Sequence, residues 1–197
     1  MFTGIIQTVG RIAEVVPHGE DCALRIEAEE LGMQDVQLGD SIAVNGVCLT
    51  VTAFDAHSFN VMVSKVTFEV THGLSKPGPV NLEKAMRLSD RLGGHLVTGH
   101  VDAIGTITTL APVGECWLLK IRAPHAISKY IAKKGSLCVN GISLTVNEIS
   151  QDEVSINLIP HTMEHTMMQY ANAGDPVNLE IDLIARYVER MQAWGQE

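Results

Sequence analysis

The sequence is poor in basic residues: 14 Lys and Arg stand against 23 Asp and Glu, for a formal net charge of -9. Its longest basic run is the pair Lys133-Lys134. Because nucleic-acid binding depends on basic side chains that neutralise phosphates, this composition argues against a nucleic-acid partner.

Long apolar runs are also missing. Nowhere do about 18 apolar residues follow one another, as a membrane-spanning helix would require. The short apolar start, Met1–Ile6, is not preceded by the basic region of a secretory signal. These features predict a cytoplasmic protein with no membrane partner.

Cysteine spacing excludes two further classes of protein. Cys22, Cys48, Cys116 and Cys138 are far apart and form no C-x-x-C pair. Neither a disulfide framework nor a cysteine zinc site is therefore indicated, and free cysteines most often pack as small apolar residues.

Nucleotide-binding motifs are absent from the sequence as well. No G-x-G-x-x-G or P-loop pattern occurs, which argues against a flavin-dependent reductase with a nucleotide-binding half.

What the sequence does contain is a long internal repeat. Residues 41–51, SIAVNGVCLTV, match residues 136–146, SLCVNGISLTV, at 7 of 11 positions with an offset of 95. The same offset aligns Thr3-Gly4 with Thr98-Gly99, and an offset of 97 aligns residues 80–83, VNLE, with residues 177–180. One register kept over this length predicts two homologous domains, the second with a two-residue insertion.

Each copy reads as short strands separated by turns. The first copy predicts six of them: Val9–Val15, Ala23–Ala28, Ser41–Val44, Cys48–Phe54, Ser58–Ser64 and Pro79–Glu83. Asn45-Gly46 and Asn140-Gly141 lie between apolar alternations and favour tight hairpins. Six antiparallel strands in a small domain favour a closed barrel, which leaves no free sheet edge.

Five segments show helical patterns: Glu29–Val36, Glu83–Asp90, His125–Ala132, Thr162–Tyr170 and Asp182–Trp194. The last lies beyond both repeats and carries Leu183, Ile184, Tyr187, Val188 and Met191 on one side. Each large side chain left in water forfeits about 1.5–3 kcal/mol, so the stripe requires a covering surface. Self-association and packing onto its own barrel are both compatible with the pattern.

Differences between the copies point to chemistry. Cys48 becomes Ser143, Ile5 becomes His100 and Val66 becomes His161, whereas Ser41 is retained as Ser136. Histidine titrates near neutrality, which makes His100 a candidate for proton transfer, although a histidine beside glycines can also be structural. Cys48 could act as a nucleophile or simply pack.

One motif is misleading. Residues 161–165, HTMEH, fit the H-x-x-E-H pattern of some zinc peptidases. Those enzymes need a large helical scaffold and a distant third ligand, so a zinc site is rejected. Thr162 and Thr166 align with Thr67 and Thr71, which indicates the same structural role in both copies.

With these motifs in hand, the sequence resembles riboflavin synthase over essentially its whole length. The resemblance is carried by residues 1–5 (MFTGI), 45–51 (NGVCLTV), 93–102 (GGHLVTGHVD), 141–146 (GISLTV), 159–162 (IPHT) and 182–190 (DLIARYVER). It implies an all-β protein with two six-stranded antiparallel Greek-key barrels in tandem and a C-terminal α-helix. The implied domains are 1–92 and 93–185, each a lumazine-binding barrel, and an oligomerisation helix at 186–197.

The resemblance also implies an activity. Two molecules of 6,7-dimethyl-8-ribityllumazine exchange a four-carbon unit, giving riboflavin and 5-amino-6-(D-ribitylamino)uracil without a metal or organic cofactor. It further implies a homotrimer held by the C-terminal helix and an active site between the first barrel of one subunit and the second barrel of a neighbour. Association with lumazine synthase is a candidate interaction that the sequence itself does not decide.

Site residues follow from the same resemblance. His100, Cys48, Ser41 and Ser143 are implied to be catalytic: His100 in proton transfer, Ser41 and Cys48 on one lumazine, and Ser143 with Thr145 on the other. The implied substrate contacts are Gly4, Ile5, Ile6, Cys48, Leu49, Thr50, Met62, Val63, Ser64, Lys65, Val66, Thr67, Gly99, His100, Val101, Lys134, Ser143, Leu144, Thr145, Asn157, Leu158, Ile159, Pro160, His161 and Thr162.

One position departs from the family pattern. Val66-Thr67-Phe68 stands where Glu-Thr-Leu is common, which removes a carboxylate near the expected pocket. Activity is still expected, with altered ligand affinity. The main rival is a related protein that binds lumazine or flavin as an optical antenna without catalysis; because Ser41, Cys48, His100 and Ser143 are all present, the enzyme is favoured.

Overall fold

The structure, a computed structural model, describes residues 1–194 and contains two closed barrels of six antiparallel strands each. The first barrel consists of β1 (Thr8–His18), β2 (Asp21–Glu27), β3 (Ser41–Val44), β4 (Val47–Phe54), β5 (Ser58–Val63) and β6 (Gly78–Lys84). The second consists of β7 (Ala103–Val113), β8 (Cys116–Arg122), β9 (Ser136–Val139), β10 (Ile142–Ser150), β11 (Glu153–Leu158) and β12 (Pro176–Ile181). The predicted strands and the duplication are confirmed.

Strand order confirms the Greek-key topology. Around the first barrel it is β1-β2-β5-β4-β3-β6, and the second barrel repeats it as β7-β8-β11-β10-β9-β12. Strands β3, β4 and β5 follow one another as hairpins, while β2 returns to pair with β5. At the tight turns, Asn45 and Asn140 have φ angles of 47° and 48°, as the Asn-Gly pairs predict.

Alternation along the strands separates core from surface. In β4, Leu49 and Val51 point into the first barrel, and their counterparts Leu144 and Val146 point into the second. Each barrel thus has a separate apolar core. Cys48 and Thr50 alternate with Leu49 and Val51 along β4, so they face away from the barrel interior, where Cys48 packs beside the Phe2 and Val97 contact between the barrels. The candidate site lies on this outer face.

The helical predictions met mixed outcomes. Residues 29–36 form two 3₁₀ turns, Glu29–Leu31 and Met33–Asp35, interrupted at Gly32. The prediction for Glu83–Asp90 was wrong, because Glu83 and Lys84 complete β6 and residues 85–90 contain no helix. Glu83 and Lys84 pair with β3. The backbone nitrogens of Ala85 and Met86 donate to distant parts of the chain, so long-range bonds replace helical ones over residues 83–86.

The remaining helices are α1 (Lys65–Val70), α2 (His125–Ser128), α3 (Pro160–His165) and α4 (Leu183–Trp194). The predicted segment Thr162–Tyr170 is α3 followed by a 3₁₀ turn at Met167–Tyr170. The first copy has no helix in the corresponding residues 72–77, and the two extra residues of the second copy lie between Thr166 and Val177.

Helix α4 confirms the C-terminal helix; residues 195–197 of the predicted range 186–197 lie outside the described residues. Polar contacts attach α4 to the second barrel: Arg186 donates to Asp102 at 2.8 Å, and Glu189 accepts from Lys129 and Tyr130. Its apolar side chains Ile184 and Met191 are 67% and 68% exposed, so the stripe does not pack onto its own barrel. Within residues 1–194 no helix is long and apolar enough to cross a membrane.

The two barrels meet across a pseudo-twofold axis. Phe2 and Val97, which are equivalent in the repeat, pair with each other through backbone hydrogen bonds of 2.8 and 3.1 Å. The hairpin tips also touch, since a Cβ on Gly46 would lie 2.6 Å from the backbone nitrogen of Gly141. Because equivalent residues contact each other, the two barrels use equivalent surfaces at their interface.

Candidate functional site

The segments that precede β1 and β7 are exchanged between the barrels. We call residues 3–6 and 98–101 the exchanged segments. The backbone nitrogen of Cys48 in the first barrel donates to Gly99 at 2.9 Å, and that of Ser143 in the second barrel donates to Gly4 at 2.7 Å. Each barrel therefore receives its copy-specific loop from the other half of the chain.

Side-chain packing confirms the exchange. Ile6, from the first copy, packs against the core of the second barrel. Val101, its equivalent in the second copy, packs against the core of the first. At Gly99 the approach is so close that a Cβ would lie 2.6 Å from the Cβ of Cys48, so only glycine fits.

The first barrel carries one cluster of site residues on its outer face. Strand register places Ser41 opposite Thr50 and Ala43 opposite Cys48. Because β4 and β5 are antiparallel, the end of β5 and the start of α1, residues 62–67, lie toward the start of β4. Residues 99–101 complete this cluster, the barrel-one patch, in which His100 is exposed.

The second barrel carries the equivalent cluster. Ser143 lies opposite Cys138 and Thr145 opposite Ser136, while residues 157–162 run from the end of β11 into α3. Residues 4–6 complete this barrel-two patch. Of the four residues predicted to be catalytic, Ser41, Cys48 and His100 thus lie on one barrel and Ser143 lies on the other.

Four of the predicted contact residues point into the barrels, so their side chains cannot contact a ligand on the outer face. Leu49, Val63, Leu144 and Leu158 all belong to the barrel cores. They are at most 7% exposed, so only their backbone groups could meet a ligand on the outer face. The exposed members Met62, Val66 and Ile159 are available for direct contact.

Lys134 occupies an unusual backbone conformation beside the barrel-two patch. Its φ angle is 66°, and its backbone nitrogen donates to Val146 at 2.8 Å. The equivalent residue in the first copy is Gly39, with a φ of 90° and the same bond to Val51. Glycine would adopt this left-handed conformation more easily than lysine does.

His95 is a buried histidine that forms a hydrogen bond with Ser143. The sequence analysis did not count it among the site residues. The Nδ1 atom of His95 lies 2.7 Å from the Ser143 hydroxyl, and the residue is only 8% exposed. Burial lowers the pKa of His95, and the charge of Asp182 opposes this shift. The uncharged ring can therefore hold the Ser143 hydroxyl through this hydrogen bond, while its Nε2 has no hydrogen-bond partner among the described residues.

Two buried glutamates also escaped the sequence analysis. Glu83 accepts from Thr3 and Gly4, and Glu180 accepts from Thr98, Gly99 and His100, so each holds one exchanged segment. Burial raises the pKa of Glu83, while these hydrogen bonds lower it. The repeated VNLE sequence was visible, but its alternation does not reveal what its outward-facing glutamate contacts.

The H-x-x-E-H residues do not form a peptidase site. His161 and His165 stack on the surface of α3 with ring centroids 4.2 Å apart, and α3 is only six residues long. Within residues 1–194, no group of three or more His, Cys, Asp or Glu side chains is placed to hold a metal ion.

Comparison with known proteins agrees with this architecture. The lumazine binding domain family matches residues 3–85 and 98–182. The chain is 40% identical to riboflavin synthase of Photobacterium leiognathi over 97% of its length and 88% of that protein. It is 41% identical to riboflavin synthase of Bacillus subtilis, covering 96% of this chain and 89% of that one.

Solved structures show the same fold. LumP complexed with riboflavin superimposes with a TM-score of 0.83 at 24% identity, covering 92% of this chain and 99% of LumP. LumP complexed with 6,7-dimethyl-8-(1'-D-ribityl) lumazine gives 0.80 at 23% identity, with the same coverage. With two matched lumazine binding domains and riboflavin synthase relatives aligned over nearly its full length, the chain belongs to the riboflavin synthase family.

Proposed function

We propose that this protein is a riboflavin synthase, converting two molecules of 6,7-dimethyl-8-ribityllumazine into riboflavin and 5-amino-6-(D-ribitylamino)uracil. The observation that carries the proposal is the similarity to riboflavin synthases over 97% of the chain at 40% identity. The two products together contain the atoms of two substrate molecules, so four-carbon transfer needs no net water, oxidant or reductant.

Two similar but unequal patches suit two copies of one ligand. A methyl group of lumazine is acidic because its anion delocalises into the ring system, so the protein has to orient two flat rings and move protons. On the barrel-one patch we assign proton transfer to the exposed imidazole of His100. Cys48 and Ser41 then position or activate the lumazine bound beside it.

The barrel-two patch supplies hydrogen bonds to the other lumazine. Ser143 and Thr145 lie on the outer face of β10, and the contact with His95 fixes the Ser143 hydroxyl. Lys134 adds a cation at the edge of this patch. We assign the remaining predicted contacts in both patches to the rings and ribityl chains.

A homotrimer completes the proposed site. Val66 and Ile159, one on each patch, are 68% and 53% exposed in the single chain, so a second surface would cover them. The uncovered apolar stripe of α4 supports trimer formation through this helix. We therefore place each active site between the first barrel of one subunit and the second barrel of its neighbour.

Location and pathway partner are further parts of the proposal. Cys22, Cys48, Cys116 and Cys138 are free thiols, which fits the reducing cytoplasm. Docking with lumazine synthase would deliver the substrate directly. Co-elution of the two purified enzymes on size exclusion is expected, and separate elution at micromolar concentration would contradict docking.

The decisive experiment supplies purified protein with 6,7-dimethyl-8-ribityllumazine alone at neutral pH. We expect riboflavin and the uracil product in equal amounts by chromatography. Absence of riboflavin would refute the proposed activity. A tightly bound yellow or blue chromophore without any product would instead indicate an antenna protein.

A further inference from the structure

Two equivalent carboxylates are buried where the barrels meet. Glu83 is 3% exposed and Glu180 is 2% exposed. Each lies on the last strand of its barrel, β6 or β12, and each binds the backbone of the exchanged segment from its own copy. A carboxylate buried this deeply is costly unless hydrogen bonds satisfy its oxygens.

Glu180 makes four such bonds. One oxygen accepts from the Thr98 backbone nitrogen at 2.6 Å and from the Thr98 hydroxyl at 2.7 Å. The other accepts from the backbone nitrogens of Gly99 at 2.8 Å and His100 at 3.0 Å. Cys48 donates to the Gly99 carbonyl oxygen at 2.9 Å, so residues 98–100 are held between Glu180 and the barrel-one patch.

Glu83 provides an internal comparison. It accepts from the Thr3 backbone nitrogen at 2.7 Å, the Thr3 hydroxyl at 2.6 Å and the Gly4 nitrogen at 3.0 Å. The Ile5 nitrogen, equivalent to that of His100, is within 3.2 Å of the Thr3 hydroxyl. The two glutamates are thus structurally alike, but only Glu180 holds a segment that carries a histidine.

We propose that Glu180 is a positioning residue for riboflavin synthesis, which fixes the backbone of His100 so that its exposed imidazole meets the lumazine on the barrel-one patch. The inference rests on the proposed function, in which His100 moves a proton. Because the carboxylate receives four donors and offers none, an isosteric amide cannot replace it: its NH₂ group would face N–H or O–H donors.

A purely structural role predicts something different. If Glu180 only joined the two barrels, its loss would act independently of His100 and would resemble the loss of Glu83. If Glu180 acts through His100, replacing Glu180 would change kcat little in a protein that already lacks the imidazole. A double-mutant cycle separates these cases.

The test compares Glu180→Gln and Glu83→Gln, each alone and combined with His100→Ala. We expect Glu180→Gln to lower kcat by about 100-fold, as small displacements of a catalytic group do, with little change in the Kd for lumazine. In the His100→Ala background it should change kcat by about twofold at most. Glu83→Gln should act by the same factor in both backgrounds.

Several results would overturn the inference. If wild-type protein makes riboflavin but the effects of Glu180→Gln and His100→Ala multiply, Glu180 does not act through His100, and the proposed function stands. If wild-type protein makes no riboflavin, the proposed function fails and the inference fails with it. Equal, multiplicative effects of the two glutamine variants would indicate a structural role.

Folding is checked by thermal unfolding of every variant. Should Glu180→Gln fail to fold, Thr98→Val replaces it, because that change removes only the hydroxyl bond to the same carboxylate. Its matched control is Thr3→Val, which removes the equivalent bond to Glu83. A smaller loss of kcat is expected for Thr98→Val alone, since three bonds to the carboxylate remain, and it should disappear in the His100→Ala background. Effects that multiply would contradict the inference.

Discussion

The close approach of Gly99 to Cys48 leads to a quantitative prediction. In Gly99→Ala the new Cβ would lie 2.6 Å from the Cys48 Cβ and 2.7 Å from its backbone nitrogen, and the φ angle of 77° disfavours any side chain. The left-handed conformation costs about 1–2 kcal/mol. Overpacking against atoms that cannot move aside adds about 1–3 kcal/mol.

Gly114→Ala is the matched control for this change. Gly114 also has a positive φ angle, 60°, but nothing lies within 4 Å of its Cβ position. Its variant should therefore lose only the conformational part, about 1–2 kcal/mol, against about 2–5 kcal/mol for Gly99→Ala. The difference between these two losses in the free energy of unfolding reports how closely the exchanged segment packs on the first barrel.

Urea unfolding followed by far-ultraviolet circular dichroism gives both free energies of unfolding. The Gly99→Ala protein should also turn over more slowly, since its exchanged segment carries His100. If Gly99→Ala were no more destabilising than Gly114→Ala, the exchanged segment would not pack on Cys48, and the barrel-one patch would be wrong.

Three other predictions concern the histidines and α4. His100→Ala should lower kcat by about 100-fold or more with little change in the Kd for lumazine, and unchanged turnover would remove His100 from the mechanism. Burial lowers the pKa of His95, so the unfolded chain binds its proton at a higher pH than the folded chain does. The free energy of unfolding should therefore fall as pH drops below about 6.5, by up to about 1.4 kcal/mol per pH unit. In His95→Gln the contribution of this histidine to the pH dependence should be absent, and parallel pH curves of the two proteins would contradict the prediction. Ile184→Asp combined with Met191→Asp should yield inactive monomers by sedimentation, whereas Leu88→Asp, also on an exposed side chain, should leave a trimer; a trimeric double variant would refute assembly through α4.

Most of the fold could be predicted because its signals are patterns in the sequence: a repeat, turn residues and apolar spacing. The offset of 95 between residues 41–51 and 136–146 established the duplication, and Asn45-Gly46 fixed a tight hairpin. Helix α4 followed from apolar spacing alone. The pattern failed at Glu83–Asp90, where backbone bonds from residues 83–86 to distant parts of the chain, a long-range property, take the place of helical ones.

The candidate site was only partly predictable. His95 and His100 are five positions apart in one motif, yet the first is buried against Ser143 and the second is exposed on the barrel-one patch. No sequence period distinguishes them. The roles of Glu83 and Glu180 were hidden for the same reason, since their partners lie about eighty positions away.

The sequence by itself determined two homologous barrels, their turns, a C-terminal helix and the residue types available for chemistry, because repetition and alternation are written along the chain. The tertiary structure alone decided that the first segment of each copy packs on the other barrel, which places Gly99 on Cys48 and Gly4 on Ser143. That exchange arises from packing about the pseudo-twofold axis, where residues equivalent in the repeat meet each other, and no local pattern in the chain specifies such contacts.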